Sequence, residues 1–467
     1  MLFSSLEFLY LFLPVTLTVY FVFPAGWRNH VLLVASLVFY GIAAPKYLPL
    51  MLAVALADYA FGYATAKATE HGGLKRANAL TATAIISNVA VLFAFKYLDA
   101  TLSLLGLTPI GIELPPGISF YTFQAMSYVC DVRRRAACAQ KNPLTFVTYV
   151  ALFPQLVAGP IVRYCDIDAS LYERRHSVTL FADGIRLFCI GLAKKMLLAN
   201  GAGEQWERMA RYSQTNGTVL GAWLGVLFFA FQIYFDFSGY SDMARGLGKM
   251  LGFEFPENFR YPYTAKSITD FWRRWHVTLS AWFREYVYIP LGGNRRGRGR
   301  TYINLLLTWL LTGAWHGASL NFLLWGLYFF ILLSLEKAFL LKRLSKAPPL
   351  VSHSYALIFI LIGWLIFAAD GSILDAKDGI GYLSQMLGIG APLASNDALF
   401  ELYRSLPTLA VMTVCSTPLG ARLFARLGQK RPSLTRSLGS ALAVLSLVIC
   451  TCYLADSGYN PFLYFKF

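Results

Sequence analysis

Charged side chains are scarce in this sequence. Asp, Glu, Lys and Arg make up 14% of its 467 residues, where soluble domains carry about 25%. Together with 57% hydrophobic residues, that shortage excludes an ordinary soluble enzyme and a disordered chain. Paired cysteines are missing too. The 7 Cys are odd in number, no CxxC occurs, and the nearest two, Cys450 and Cys452, sit in an apolar run. Both a disulfide framework and a zinc site are therefore unexpected. No H-x-x-x-H spacing argues for a metal. No Walker A sequence appears, and GLGKMLG at 246–252 spaces its glycines wrongly for a dinucleotide fingerprint, so a nucleotide-driven pump is excluded. The sequence has no internal repeat and no low-complexity segment, and a single integral domain over 1–467 is expected. The first apolar run lacks a basic leader and a small-residue cleavage site, so it is expected to span a membrane.

What is present in excess is apolar and aromatic: 36 Phe, 27 Tyr and 10 Trp. A crossing helix needs about 20 apolar residues. Candidate runs lie at 6–23, 30–42, 47–64, 80–97, 118–132, 144–157, 181–198, 221–237, 302–315, 320–335, 355–369, 402–419 and 438–455. The fold class expected is an all-α polytopic membrane protein. Net charge is +16, and basic loops mark the cytoplasmic side of such proteins. Those loops fall at 67–76, 133–141, 295–300, 337–346 and 422–436, while Asp370, Asp375, Asp378 and Asp397 mark an outer loop. Counting spans from these loops puts both termini outside. RRGRGR at 295–300 is read as a cytoplasmic loop on anionic lipid headgroups, with no nucleic-acid partner.

Ionisable groups at membrane depth are costly and usually face a cavity or a partner. They are dense between 232 and 321. His316 lies in LTGAWHGASLN between two apolar runs whose outer ends are both basic. An arm rising from Thr301 covers about 22 Å at ~1.5 Å per residue, less than a hydrocarbon core of about 30 Å, so the imidazole should stop inside the membrane. Gly313 and Gly317 leave room beside it for a substrate or another backbone. His276 lies in TDFWRRWHVTLSAWFREYVYIPLGGN. Read as one helix, this segment puts Trp272, Trp275, Leu279, Trp282 and Tyr286 on one stripe and Arg273, His276, Ser280 and Arg284 on the next. Such a helix either binds a nucleotide-bearing ligand or anchors in headgroups, and anchoring is the commoner use. Asp236, at the end of an apolar helix, and Asp242 are expected to pair with Arg245, Arg260 or Arg273. GYSDM fails the G-x-S-x-G pattern of a hydrolase elbow.

These segments together resemble the membrane-bound O-acyltransferase family. The matching stretches are LPPGISFYTFQAMSY (114–128), FPQLVAGPIVR (153–163), IYFDFSGYSDMARGLGKMLGF (233–253), PENFRYPYTAKSITDFWRRWHVTLSAWFREYVYIPLGGNRRG (256–297), NLLLTWLLTGAWHGASLNFLLWG (304–326) and NPFLYFKF (460–467). Residues 340–440 match weakly, which leaves open which polymer is modified. The resemblance implies a helical barrel around an acyl-transfer tunnel, with re-entrant or interfacial helices. It implies that His316 is the catalytic histidine and His276 the second active-site histidine. Arg273, Arg284, Trp275, Ser280, Asp236, Asn258, Trp315 and Asn321 are expected to bind the donor or line the tunnel. The donor implied is acetyl-CoA, with no permanently bound cofactor and no metal. The acceptor implied is an exopolysaccharide of the alginate kind or a cell-wall glycan, reached through a periplasmic SGNH-type acetyltransferase at the bacterial inner membrane. Within the family, the alternative is transfer of D-alanine or another acyl group from a carrier protein. Outside it, the alternative is a polysaccharide or lipid exporter, which should show paired repeats. An imidazole suits the chemistry, since its unperturbed pKa near 6.5 lets it take and return a proton.

The ending NPFLYFKF is read as an aromatic anchor at the headgroups. The sharper alternative is an acyl relay through Tyr464, because a tyrosine serves as a nucleophile once a base activates it.

Overall fold

The computed structural model describes residues 1–371, 373–456 and 463. Every regular element among them is helical. The helices used below are α1 (Arg28–Ala43), α2 (Leu48–Glu70), α3 (Leu74–Lys96), α4 (Ile118–Arg134), α5 (Val178–Ala193), α6 (Val219–Met250), α7 (Ile268–Trp272), α8 (Val277–Phe283), α9 (Arg298–His316), α10 (Leu320–Leu335) and α11 (Pro349–Ala368), then α12 (Asn396–Cys415), α13 (Leu419–Lys430) and α14 (Pro432–Asp456). Six helices among the described residues are long and apolar enough to cross a membrane: Pro45–Glu70, Leu74–Lys96, Val219–Met250, Leu320–Leu344, Pro349–Ala368 and Pro432–Asp456. The pair α12 and α13, bent by 58°, makes a seventh if taken as one span. The chain is an all-α polytopic membrane protein.

Several apolar runs do not become crossings. The run 118–132 falls in α4, which has only 17 residues and is buried at every position from Ile118 to Val132. Its apolarity serves protein neighbours instead of lipid. The run 144–157 splits at Leu152 into Pro143–Ala151 and Phe153–Leu156, where Pro154 has no N–H to continue the first helix. α9, at 19 residues, extends about 28 Å and ends in the interior.

α6 organises the rest. Its 32 residues extend about 48 Å, and the Thr218 hydroxyl accepts the Gly221 N–H to start it. Of its most apolar window 78% is buried, against 11% for α3 and α14, so α6 is central and the other two are peripheral. Residues 224–235 of α6 belong to one apolar core, with α10 and α11, and residues 237–250 to another, with α2 and α4. α5 packs on α6 through glycines. A Cβ at Gly191 would lie 2.4 Å from the Gly239 carbonyl oxygen, and one at Gly246 would lie 2.6 Å from that of Gly184. That approach lets the two lysines just after α5 reach α6. Lys195 pairs with Asp236 at 2.9 Å and Lys194 with Asp242 at 2.6 Å. The expected arginine partner holds only for Asp242, which Arg245 meets at 3.3 Å, while Arg260 pairs with Glu257.

Candidate active site

The segment from 253 to 277 builds the site, and most of it is irregular. α7 starts with the Ser267 hydroxyl accepting the Asp270 N–H at 3.0 Å. The buried Glu336 carboxylate takes the N–H groups of Ile268 and Thr269 at 2.7 and 2.8 Å and the Thr269 hydroxyl at 2.6 Å, which satisfies donors that a helix start leaves orphaned. After Trp272 the helix stops. His276 has φ +43°, a left-handed conformation costly for a residue with a Cβ, and α8 begins after it.

The single helix expected over 269–288 is therefore broken. Backbone bonds to the irregular stretch before it replace helical ones: the Arg260 N–H donates to the Arg274 carbonyl at 2.9 Å and the Val277 N–H to that of Asn258 at 3.0 Å. The break divides the aromatic stripe. Trp275 joins the core of α10 and α11, with Trp364 at 4.7 Å, while Trp282 stacks on Phe123 at 3.7 Å in the other core. Both indoles are about 5% exposed or less, so the headgroup anchor is overturned. The two cores meet at the histidines.

His276 is buried, and its Nδ1 lies 3.0 Å from Asn258 Oδ1. His316 is buried at the end of α9 among the rings of Trp315, Trp325 and Phe367, at 4.9, 5.2 and 5.1 Å between centroids, each edge-on. The room left by Gly313 is taken by another backbone: a Cβ there would sit 2.3 Å from the Phe322 carbonyl oxygen, and one at Gly326 2.4 Å from that of Trp309. α9 and α10 thus form a tight hairpin with His316 near its tip. Trp315 also reaches His276, 6.2 Å away between ring centroids.

Both histidines line a cavity of about 330 Å³ together with Arg273, Arg284, Trp275 and Ser280, a size within the range of small-molecule sites. Its walls come from α7, α8, α9, α10 and the π-helical turn Arg284–Tyr288, a distortion common at functional sites. Arg260 and Arg274 are occupied by Glu257 and Asp270. Arg273 and Arg284 are exposed and have no carboxylate partner among the described residues. The remaining expected residues stand outside the lining. Asn258 supports His276 from behind. Trp315 packs against both imidazoles. Asn321 ties α10 to the end of α11 by donating to the Phe367 carbonyl at 3.0 Å. Asp236 is sealed against Lys195 and also accepts the Leu463 N–H at 2.9 Å. Tyr464 lies outside the described residues.

Four contributors escaped the sequence reading. Glu336 directly follows the apolar run 320–335, and Lys195 lies within the run 181–198. Lys96 and Tyr97 close the run 80–97, and their side chains donate to the carbonyl oxygens of Trp315 and Ala314. A lysine so close to an apolar run was the available signal.

The arrangement can carry proton transfer between an apolar-walled pair of imidazoles and hold an anionic ligand on two arginines. The family model for the membrane-bound O-acyltransferases matches residues 37–372. The chain is 36% identical to the probable alginate O-acetylase of Pseudomonas putida, over the full length of both. It is 34% identical to the peptidoglycan O-acetyltransferase of Helicobacter pylori, over 83% of this chain and 80% of that one. Similarity extends at 28% identity to the teichoic acid D-alanyltransferase of Bacillus subtilis, over 54% of this chain and 68% of that one. The chain belongs to the membrane-bound O-acyltransferase family and is an O-acyltransferase.

Proposed function

We propose that this enzyme moves an acetyl group from acetyl-CoA across a bacterial inner membrane for O-acetylation of an exopolysaccharide or a cell-wall glycan. The carrying observation is one cavity that holds two buried histidines and two arginines that have no carboxylate partner among the described residues. Arg273 and Arg284 take the donor's phosphates through charge-assisted bonds, and Trp275 and Ser280 line its path. His316 accepts the proton of an acceptor hydroxyl as its oxygen attacks the thioester carbon. The new C–O bond forms, the C–S bond breaks, and the proton passes to the departing thiolate. His276 assists as the second imidazole. The donor enters from the cytoplasmic side, with both termini outside, and the acceptor side is served by an SGNH-type periplasmic acetyltransferase. Names of relatives acting on alginate and on peptidoglycan support the polymer class.

A second reading, D-alanyl transfer from a carrier protein, draws on the teichoic acid relatives. An acyl relay through Tyr464 is compatible with both. Its support is the sequence alone, an aromatic ending with a tyrosine hydroxyl that a base can activate. Acetyl on the C-terminal peptide after incubation with acetyl-CoA and no acceptor, seen by mass spectrometry, is the expected trace of that relay. Full activity in Tyr464→Phe removes it.

The test of the main reading is reconstitution of the full chain in liposomes with labelled acetyl-CoA and a panel of periplasmic acceptors. His316→Ala, at normal membrane abundance, is expected to lose transfer by about 10²–10⁴-fold, the usual worth of positioned acid–base catalysis. Transfer retained in His316→Ala refutes the assignment. Transfer from a D-alanyl carrier alone, and none from acetyl-CoA, selects the second reading.

A further inference from the structure

α9 ends at His316, and the carbonyls of a last helical turn lack their full set of N–H partners. Here two side chains from the end of α3 supply donors across 219 and 217 residues of sequence. The Lys96 ammonium donates to the Trp315 carbonyl oxygen and the Tyr97 hydroxyl to that of Ala314. Neither residue is among those lining the cavity. The ammonium also stands over the Trp315 indole, 5.5 Å from its centroid, within cation–π range.

A neutral hydroxyl is enough to cap a helix end, and a lysine ammonium beside an apolar core is a costly substitute. Its position suggests what the charge is for. Trp315 is gripped at its carbonyl and at its ring by one side chain, with Phe120 and Phe123 closing two further approaches at 5.8 and 5.7 Å. The same indole packs against both imidazoles, at 4.9 Å from His316 and 6.2 Å from His276. A loosened last turn moves the indole and His316 together.

We propose that Lys96, seconded by Tyr97, is a positioning residue for acyl transfer: it clamps the last turn of α9 and so holds His316 at its working distance from His276. The proposal rests on the reading of His316 as the catalytic base. It adds a charged group on α3, outside the cavity, on which the alignment of that base depends.

The test uses the full chain in liposomes, with acetyl-CoA as the probe, and measures kcat, donor KM and thermal midpoint for Lys96→Met, Lys96→Arg and Tyr97→Phe. Misplacing a catalytic group by about 1 Å costs about 100-fold, so Lys96→Met is expected to lose kcat by roughly 30- to 100-fold while donor KM stays within about threefold. Lys96→Arg, which keeps the charge, is expected to recover kcat to within about tenfold of wild type, and Tyr97→Phe to lose about fivefold at unchanged KM. Wild-type kcat in Lys96→Met overturns the proposal. So does an equal loss of donor binding and kcat that Lys96→Arg leaves unrepaired, which is the behaviour of a plain fold defect. If Lys96→Met does not accumulate in the membrane, the other two variants decide, and unchanged kcat in Tyr97→Phe together with a dead Lys96→Arg overturns it. A His316→Ala protein that still transfers acetyl refutes the underlying reading instead, and the two failures are told apart by that control.

Discussion

Asn258 presents its side-chain oxygen 3.0 Å from Nδ1 of His276, and the same oxygen takes the Thr278 hydroxyl at 2.9 Å and the Thr278 N–H at 3.3 Å. Its amide nitrogen donates to the Ser241 hydroxyl at 3.2 Å. The amide orientation is thereby set by its partners, and a neutral His276 carries its proton on Nδ1. Nε2 is then the nitrogen able to accept one.

Removing that acceptor should release the tautomer without emptying the site. Asn258→Leu is expected to lower turnover by roughly tenfold or more, a part of the 10²–10⁴ that aligned acid–base groups supply. His276→Ala should fall at least as far. The measurement is kcat for acetyl transfer in both single variants and the double. Additive losses would show that Asn258 works independently of His276, contrary to the hydrogen bond between them.

Arg273 and Arg284, which have no carboxylate partner among the described residues, should act on donor binding. Charge-assisted bonds contribute about 1.5–3 kcal/mol each, and about 1.4 kcal/mol is tenfold in affinity. Arg273→Gln with Arg284→Gln is expected to raise donor KM by at least tenfold on that scale, with a smaller effect on acceptor KM. Equal effects on both substrates would remove the arginines from the donor path.

The hairpin of α9 and α10 depends on backbone contact, with the Gly326 Cβ position only 2.4 Å from the Trp309 carbonyl oxygen. Gly326→Val should separate the helices and destabilise the protein by about 1–3 kcal/mol, the range for overpacking. Thermal unfolding in detergent checks this, and a midpoint equal to wild type would mean that the hairpin accommodates the side chain. Gly299, whose Cβ position meets no atom within 4 Å, is the control site.

Lys195 and Asp236 form an ion pair with side chains 2% and 3% exposed. Leaving either charge alone should be far worse than removing both. Breaking such a pair typically costs about 3–5 kcal/mol, whereas apolar replacement of both partners is near neutral. Lys195→Met is therefore expected to reduce membrane abundance sharply, and Lys195→Met with Asp236→Leu to restore most of it. A double variant as poor as the single would point to a role for the carboxylate beyond the pair, such as its bond to Leu463.

The family resemblance grouped His276, His316, Arg273, Arg284, Trp275 and Ser280 with Asp236, Asn258, Trp315 and Asn321, and the first six line one cavity while the other four stand outside its lining. The break at His276 was not legible, because the stretch 269–288 has helical periodicity and no Pro or Gly before 290. Its cause lies in bonds from Asn258 and Arg260, and local spacing does not register them. The apolar runs misled for a related reason. A helix buried by protein and one bathed in lipid have the same composition, and only neighbours separate α4 from α3.

Composition by itself determined that this chain belongs to a bilayer, since a chain with 14% charge and 57% hydrophobic residues has no other stable solvent. Tertiary structure decided which runs cross, which lysine neutralises Asp236, and how close the imidazoles come. Those outcomes depend on contacts between residues far apart in sequence, such as Gly191 with Gly239, Asn258 with His276 and Lys96 with Trp315. Such contacts form only when the chain has closed on itself, and no local pattern of residues encodes their distances.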